Sequence, residues 1–306
     1  MTAPPYCNTG VYPHEPIPPR GASGSAFDWY RATVPAHPQL VLEALTEAVE
    51  RDLGFEPTLH AGSPRWSFLR ADMLCDRKGL RIAEVLHGGR NPNPSVESSG
   101  AMAPIVAGIL RDRGTHYASR VDVAIDRAGP TLFREWRALC ERLSMQYRLA
   151  MRVIEAPTDP DAGSTVYLGS RKSEVFLRVY EKGLKTAHDE GLAQIPDEYR
   201  HWVRAEIEFK PDKKAAKHAA ALMEPDVFWG ITEWLAHFAL EAFAMRAEPV
   251  NLRERRLSDH DRAMRWMADQ YRSHLDRLWR DHGRDDAAAF RALRELAGIG
   301  ALSEAA

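Results

Sequence analysis

The run LRVYEKGLK, residues 177 to 185, places Tyr180 between Arg178 and Lys182. A free phenol titrates at about pH 10 and is a poor nucleophile at neutrality, so a catalytic tyrosine needs a cation or a general base beside it. Strand side chains alternate between faces, which makes Phe176, Arg178, Tyr180 and Lys182 one row and Val175, Leu177 and Val179 the other. The cations would then flank the phenol in space as well as in sequence.

Three further strand-like runs divide as cleanly. SRVDVAID sets Arg120, Asp122, Ala124 and Asp126 opposite Val121, Val123 and Ile125. HWVRAEIEFK sets Trp202, Arg204, Glu206, Glu208 and Lys210 opposite Val203, Ala205, Ile207 and Phe209. In STVYLGS, Tyr167 lies with Thr165 and Gly169, opposite Val166 and Leu168. One such row is ordinary for the solvated face of an antiparallel sheet. Several together, with clustered carboxylates, require arginines or a divalent metal to offset like-charge repulsion. Asp122, Asp126, Glu206 and Glu208 are hard oxygen ligands suited to Mg²⁺ or Mn²⁺, which can polarise a phosphoryl oxygen. With Tyr180 they describe phosphoryl transfer to tyrosine. Single-stranded DNA is the natural substrate for such a face: Ser170, Arg171, Lys172 and Ser173 of GSRKS reach its phosphates, Arg204 adds a cation, and Trp202 is a candidate stacking ring.

The elements that must position these residues form an α+β body. SAFDWYRATVP reads as a first strand, and a helix starts near His37. RWSFLRADML and LRIAEVLHGG form a hairpin about the turn CDRKG. A short helix over SSGAMAPIVAGILRDRG, the strand SRVDVAID, a helix after Thr131, the strand LAMRVIEAP and three more strands follow. Strand, helix and hairpin recur in both halves, which admits an internal duplication. The expected sheet is largely antiparallel, with helices on one face and an open polar active-site face on the other. The expected division is a proline-rich arm over 1–24, an α+β domain over 25–220 that carries these rows and binds DNA, and a helical C-terminal region over 221–306.

Bulk properties bound the rest. The 306 residues can bury a real core, and a formal charge of -2 leaves DNA contact to local patches. Three scattered cysteines without a CxxC argue against disulfide or zinc frameworks and fit a reducing, cytoplasmic setting. No apolar run reaches membrane-spanning length. HGGR, 87 to 90, lacks the GxxxxGK[ST] pattern and reads as a turn, so no ATPase follows from it. His87 and His201 read as structural or exposed rather than as ligands, and Ser170 and Ser173 have no spaced catalytic partners. Phe228, Trp229, Trp234, Phe238 and Phe243 read as helix packing, while Arg253, Arg255, Arg256, Arg262 and Arg265 read equally as a DNA-reading helix face or as an exposed helix of mixed charge.

VESSGA, SRVDVAID, TVYLGSRKSEVFLRVYEK and VRAEIEFK, in this order, resemble the replication initiation factor family of rolling-circle plasmids, filamentous phages and some conjugative elements. The most specific part is the run Tyr167, Gly169, Ser170, Ser173, Arg178, Tyr180 and Lys182. The resemblance implies nicking of one strand at an origin, a 5′-phosphotyrosine link, a free 3′ hydroxyl and dependence on a divalent metal. It makes Tyr180 the first candidate nucleophile and Tyr167 the second, with Arg178 and Lys182 as their cations and the carboxylates of 122–126 and 206–208 as metal ligands. It also implies melted or single-stranded origin DNA, a host helicase and a polymerase as partners, and leaves a homodimer open. The related nickases carry a His-hydrophobe-His metal motif, and none of the twelve histidines here has that spacing. A conjugative relaxase and a non-catalytic DNA-binding regulator are the alternatives.

Overall fold

Ten strands, most of them with alternating apolar and polar residues, are present in a computed structural model that describes residues 24–155, 158–250, 252 and, apart from 265 and 269, 264–298. β1 (Ala26–Thr33) is followed by α1 (Pro38–Leu53), which starts on Pro38 with the His37 ring accepting from the Gln39 amide and ends on the left-handed Gly54. β2 (Thr58–Ala61), β3 (Arg70–Cys75), β4 (Arg81–His87) and β5 (Ser95–Ser99) come next, then α2 (Met102–Arg113). β6 (Tyr117–Ala128), α3 (Leu132–Tyr147), β7 (Met151–Ile154), β8 (Thr165–Leu168) and β9 (Val175–Tyr180) lead to α4 (Lys182–Asp189) and α5 (Asp197–Arg200). β10 (Trp202–Phe209), α6 (Lys214–Leu222) and α7 (Glu233–Phe243) complete this part.

All ten strands form one sheet in the order β2-β3-β4-β5-β1-β6-β10-β9-β8-β7, and every pairing is antiparallel. The order repeats about the β1/β6 seam: β1-α1-β2-β3-β4-β5 matches β6-α3-β7-β8-β9-β10, with α2 and α6 following. The duplication suggested by the element sequence is therefore present as topology. The apolar rows, Val121, Val123 and Ile125 with Leu177, Val179, Ala205 and Ile207, are buried against the helices. The sheet is thus covered on one face and polar on the other.

Four elements were not legible in the sequence: β2, β5, α4 and the single-turn α5. β5 is nearly all polar, SVESS, so no alternation betrays it, yet Ser95, Glu97 and Ser98 are buried between β4 and β1. β2 is short and wholly exposed. α4 occupies residues assigned to a strand end and a polar connector. It docks through Gly183, where a Cβ would lie 1.9 Å from the Tyr199 carbonyl oxygen. The strand expected from Arg65 starts only at Arg70, because Trp66 and Ser67 have positive φ and cannot extend the ladder.

The described chain divides at Arg253/Glu254 into two compact units, whereas the sequence placed the boundary at 220/221. The difference lies in Phe228, Trp229, Leu235 and Phe238, which are fully buried in the core of the first unit. The second unit holds the helices Arg272–Asp281 and Asp286–Leu296. The N-terminal arm up to residue 23, and the arginines 253, 255, 256, 262 and 265, lie outside the described residues. Among the described residues no helix is long and apolar enough to cross a membrane.

Candidate active site

Register brings the predicted rows together. Across β6 and β10, Asp122 faces Glu208, Ala124 faces Glu206, and Asp126 faces Arg204. Across β10 and β9, Glu206 faces Arg178 and Arg204 faces Tyr180. Across β9 and β8, Tyr180 faces Thr165 and Arg178 faces Tyr167. A narrow cleft opens on this face, lined by Asp28, Thr165, Tyr167, Arg178, Tyr180, Lys182, Lys185 and Glu206.

Tyr180 is the centre of the cleft. Its hydroxyl donates to Glu206 Oε2 at 3.1 Å, and only 8% of the residue is exposed. Burial, and then the Glu206 carboxylate, hold its phenol well above the usual tyrosine range. The other Glu206 oxygen accepts from Arg178 Nη2, and Lys185 Nζ lies 5.5 Å from the Tyr180 ring centroid. Arg178 Nε is buried without a hydrogen-bond partner among the described residues. Lys182 reaches the cleft, but not as the next strand residue: it opens α4, and its ammonium lies 5.8 Å from the centre of the Trp202 ring.

Tyr167 is half-buried at the rim of the cleft. Its ring stacks on Phe176 at 5.5 Å and 14°, and Arg171 lies over it at 5.1 Å with a 3.4 Å contact to the hydroxyl. The β8–β9 loop that carries Arg171 is exposed at 170–174. Ser173 Oγ closes this loop onto the Ser170 and Val175 carbonyls, and Ser170 Oγ accepts from the Lys172 amide. The serines therefore shape the turn, and Arg171 and Lys172 are its exposed cations.

Two expected DNA contacts are engaged inside the protein. Arg204 grips Asp126 through Nε and Nη2, both at 2.8 Å, and donates to Asp28 through Nη1 at 2.7 Å. Trp202 donates to Asp126 Oδ1 at 2.8 Å and is 2% exposed, so its ring offers no platform for a base. Both are corrected to structural roles. Burial raises the Asp28 carboxyl, but Arg204, with Lys182 and Arg178 behind it, outweighs this and holds it below the usual carboxylate range.

The four carboxylates expected to cage a metal are likewise dispersed among cations. Asp122 accepts from Arg120 at 2.9 and 2.6 Å and from Arg178 at 3.3 Å. Glu208 pairs with Arg120 at 2.9 Å and Lys210 at 2.7 Å. Asp126 belongs to Arg204, and Glu206 to Arg178 and Tyr180. Asp122 and Glu206 are 0% and 2% exposed rather than open to solvent. Burial pushes the Asp122 carboxyl up to about 7, against the pull of its arginines. Among the described residues no three His, Cys, Asp or Glu side chains converge on one ion. Asp122, Asp126, Glu206 and Glu208 do not fit a single Mg²⁺ or Mn²⁺ site.

Asp28 and Lys185 were missed in the sequence. Asp28 sits where the β1–β6 register shifts between Phe27 and Trp29, a bulge that turns both Asp28 and Trp29 to the polar face. The signal was there: the polar residues of AFDWYRAT fall out of strict alternation at Asp28. Lys185 follows Lys182 at helical spacing, which becomes readable only once KGLKTAHD is taken as a helix.

The replication initiation factor family model matches residues 118–286, more than half of the chain. Among solved structures, a rolling circle replication initiator protein from Geobacillus stearothermophilus aligns with a TM-score of 0.47 and 16% identity, over 74% of this chain and 99% of that one. No curated protein matches the chain.

Proposed function

The chain belongs to the replication initiation factor family, and from that premise we propose that it nicks one strand of origin DNA with Tyr180 as the nucleophile. The observation that carries this reading is the Tyr180 hydroxyl donating to buried Glu206 in a cleft that also presents Arg178, Lys182 and Lys185. The phenol is protonated at neutral pH, so attack requires a base, and Glu206 Oε2 already accepts its hydrogen bond. Tyr180 Oη attacks phosphorus as its proton passes to Glu206. The Oη–P bond forms, the P–O3′ bond breaks, and the leaving 3′ oxygen takes a proton from solvent. The products are a 5′-phosphotyrosine and a free 3′ hydroxyl, and the reverse step rejoins the strand.

Charge on the phosphoryl oxygens increases in the transition state, and the cleft cations are fixed where they can offset it. Arg178 Nε supplies an unused donor. Arg171 and Lys172, on the exposed loop, hold neighbouring phosphates. In this reading the 3′ hydroxyl primes synthesis by a host polymerase behind a host helicase.

The test is incubation of a labelled single-stranded origin oligonucleotide with the protein and Mn²⁺, followed by denaturing electrophoresis. Wild type and Tyr167→Phe are expected to give a covalent adduct and Tyr180→Phe none. An adduct lost only in Tyr167→Phe would move the nucleophile to Tyr167, and no adduct from wild type would sink the reading.

A further inference from the structure

The polar face of the first half carries a second cavity, of about 330 Å³, between β1, β4, β5 and the segment after β2. Its walls hold Arg31, Arg65, Arg81 and Arg120 beside two carboxylates, Glu84 and Glu97, while Arg120 is also paired with Asp122 and Glu208. Glu84 and Glu97 are register partners, 3% and 2% exposed, and Arg65 Nη2 bridges them at 2.8 and 2.6 Å. A Cβ at Gly62 would come within 2.5 Å of Glu84 Oε1, so the Glu84 carboxylate packs directly on the Gly62 backbone.

Two tryptophans complete the cavity, each attended by arginines. Arg31 and Arg65 lie 4.4 and 4.7 Å from the Trp66 ring centre, and Arg120 lies 4.8 Å from that of Trp29. Trp66 is 53% exposed and held at φ 59°, with Ser67 at φ 114°. An exposed indole on a backbone that disfavours it is the kind of strain that clusters at ligand sites. Within the same walls, buried Trp29 Nε1 lacks an acceptor and Glu97 Oε2 lacks a donor among the described residues, Arg31 Nη1 standing 3.9 Å from the latter. One leftover donor and one leftover acceptor, flat rings and the guanidinium groups of the wall match the edge, face and phosphate of a nucleotide.

The cavity is joined to the Tyr180 cleft along one face. Arg120, in its wall, holds Asp122, which also accepts from Arg178 of the cleft. β5 and β10 are separated only by β1 and β6, about 14 Å at ordinary strand spacing. We infer that this cavity is a second subsite for the substrate strand, holding one nucleotide a few positions from the scissile phosphate with its base against the Trp29 and Trp66 rings and its phosphate on Arg31 and Arg81. The inference rests on the DNA-nicking reading for its ligand.

The experiment measures fluorescence anisotropy of two sets of labelled single-stranded origin oligonucleotides, one confined to the nick site and one extended by six nucleotides to either side. Wild type, Trp66→Ala and Trp66→Phe are compared. One of the extended oligonucleotides is expected to lose roughly tenfold in affinity with Trp66→Ala, and to regain most of it with Trp66→Phe, as stacking on an aromatic ring requires. The short oligonucleotide should bind all three alike, and its adduct yield at saturation should not change. Unchanged binding of every extended oligonucleotide by Trp66→Ala would overturn the subsite, as would an equal loss for short and extended ones. Anisotropy is read without chemistry, so absence of a covalent adduct in wild type would defeat the nicking reading while leaving the subsite to be judged by binding.

Discussion

The Tyr180 hydroxyl donates to Glu206 Oε2 at 3.1 Å from the neighbouring strand of the sheet, and the other Glu206 oxygen accepts from Arg178. Replacing the carboxylate by an amide of the same shape separates positioning from proton transfer. Glu206→Gln is expected to slow adduct formation by about 10²–10⁴-fold, the usual yield of a general base, while oligonucleotide affinity changes little. A rate within a few-fold of wild type in single-turnover assays would show that Glu206 only positions the phenol.

Arg204 holds Asp126 with a two-pronged grip and Asp28 with its remaining nitrogen, at 7% side-chain exposure. Arg204→Met leaves both carboxylates without their cation, which is expected to destabilise the first unit by about 3–5 kcal/mol. Arg204→Lys should recover only part of this, because an ammonium cannot reproduce the planar fork. Urea melts of the three proteins give the answer. A loss under about 1 kcal/mol in Arg204→Met would mean that water replaces the guanidinium.

These roles show how far alternation could be read. The period-two rows of β6, β9 and β10 were legible because each strand has one apolar face in the core, and register then carried Asp122, Arg178, Tyr180 and Glu206 into contact. Sequence alone could not say that each carboxylate would be claimed by a guanidinium, since side-chain pairing is decided between strands distant in the chain. It also missed Asp28, which depends on a bulge, and α4, which begins two residues after Tyr180. The helical period of KGLKTAHD was visible but overridden by the strand before it. Phe228, Trp229, Trp234, Phe238 and Phe243 were read as packing, yet nothing in their pattern said that they belong to the same compact unit as the sheet.

The distribution of carboxylates among arginines makes a prediction about metal dependence. Asp122→Asn and Asp126→Asn should leave the Mn²⁺ concentration that half-saturates adduct formation unchanged, because neither side chain faces a shared cation site. Both should lower the melting temperature, since Arg120 or Arg204 loses a charged partner. A tenfold rise in the Mn²⁺ requirement of either variant would restore the carboxylate cage anticipated from the sequence.

His116 gives the protein a stability term that depends on pH. Its Nδ1–H donates to the Gly114 carbonyl at 3.1 Å, which leaves Nε2 to accept from the Tyr30 hydroxyl at 2.7 Å. Burial, aided by Arg111 and His218, lowers the imidazole pKa below its ordinary value, and burial keeps the Tyr30 phenol protonated as donor. The unfolded chain takes up its proton at about pH 6.5, while the folded ring resists until the pH is lower. Between those two values the unfolded state binds more protons, so stability falls as pH drops through the window and is fully present above about 6.5. His116→Gln, which cannot be protonated, should flatten the melting temperature between about pH 5 and 7 relative to wild type. Parallel curves for the two proteins would place the pH dependence in other groups.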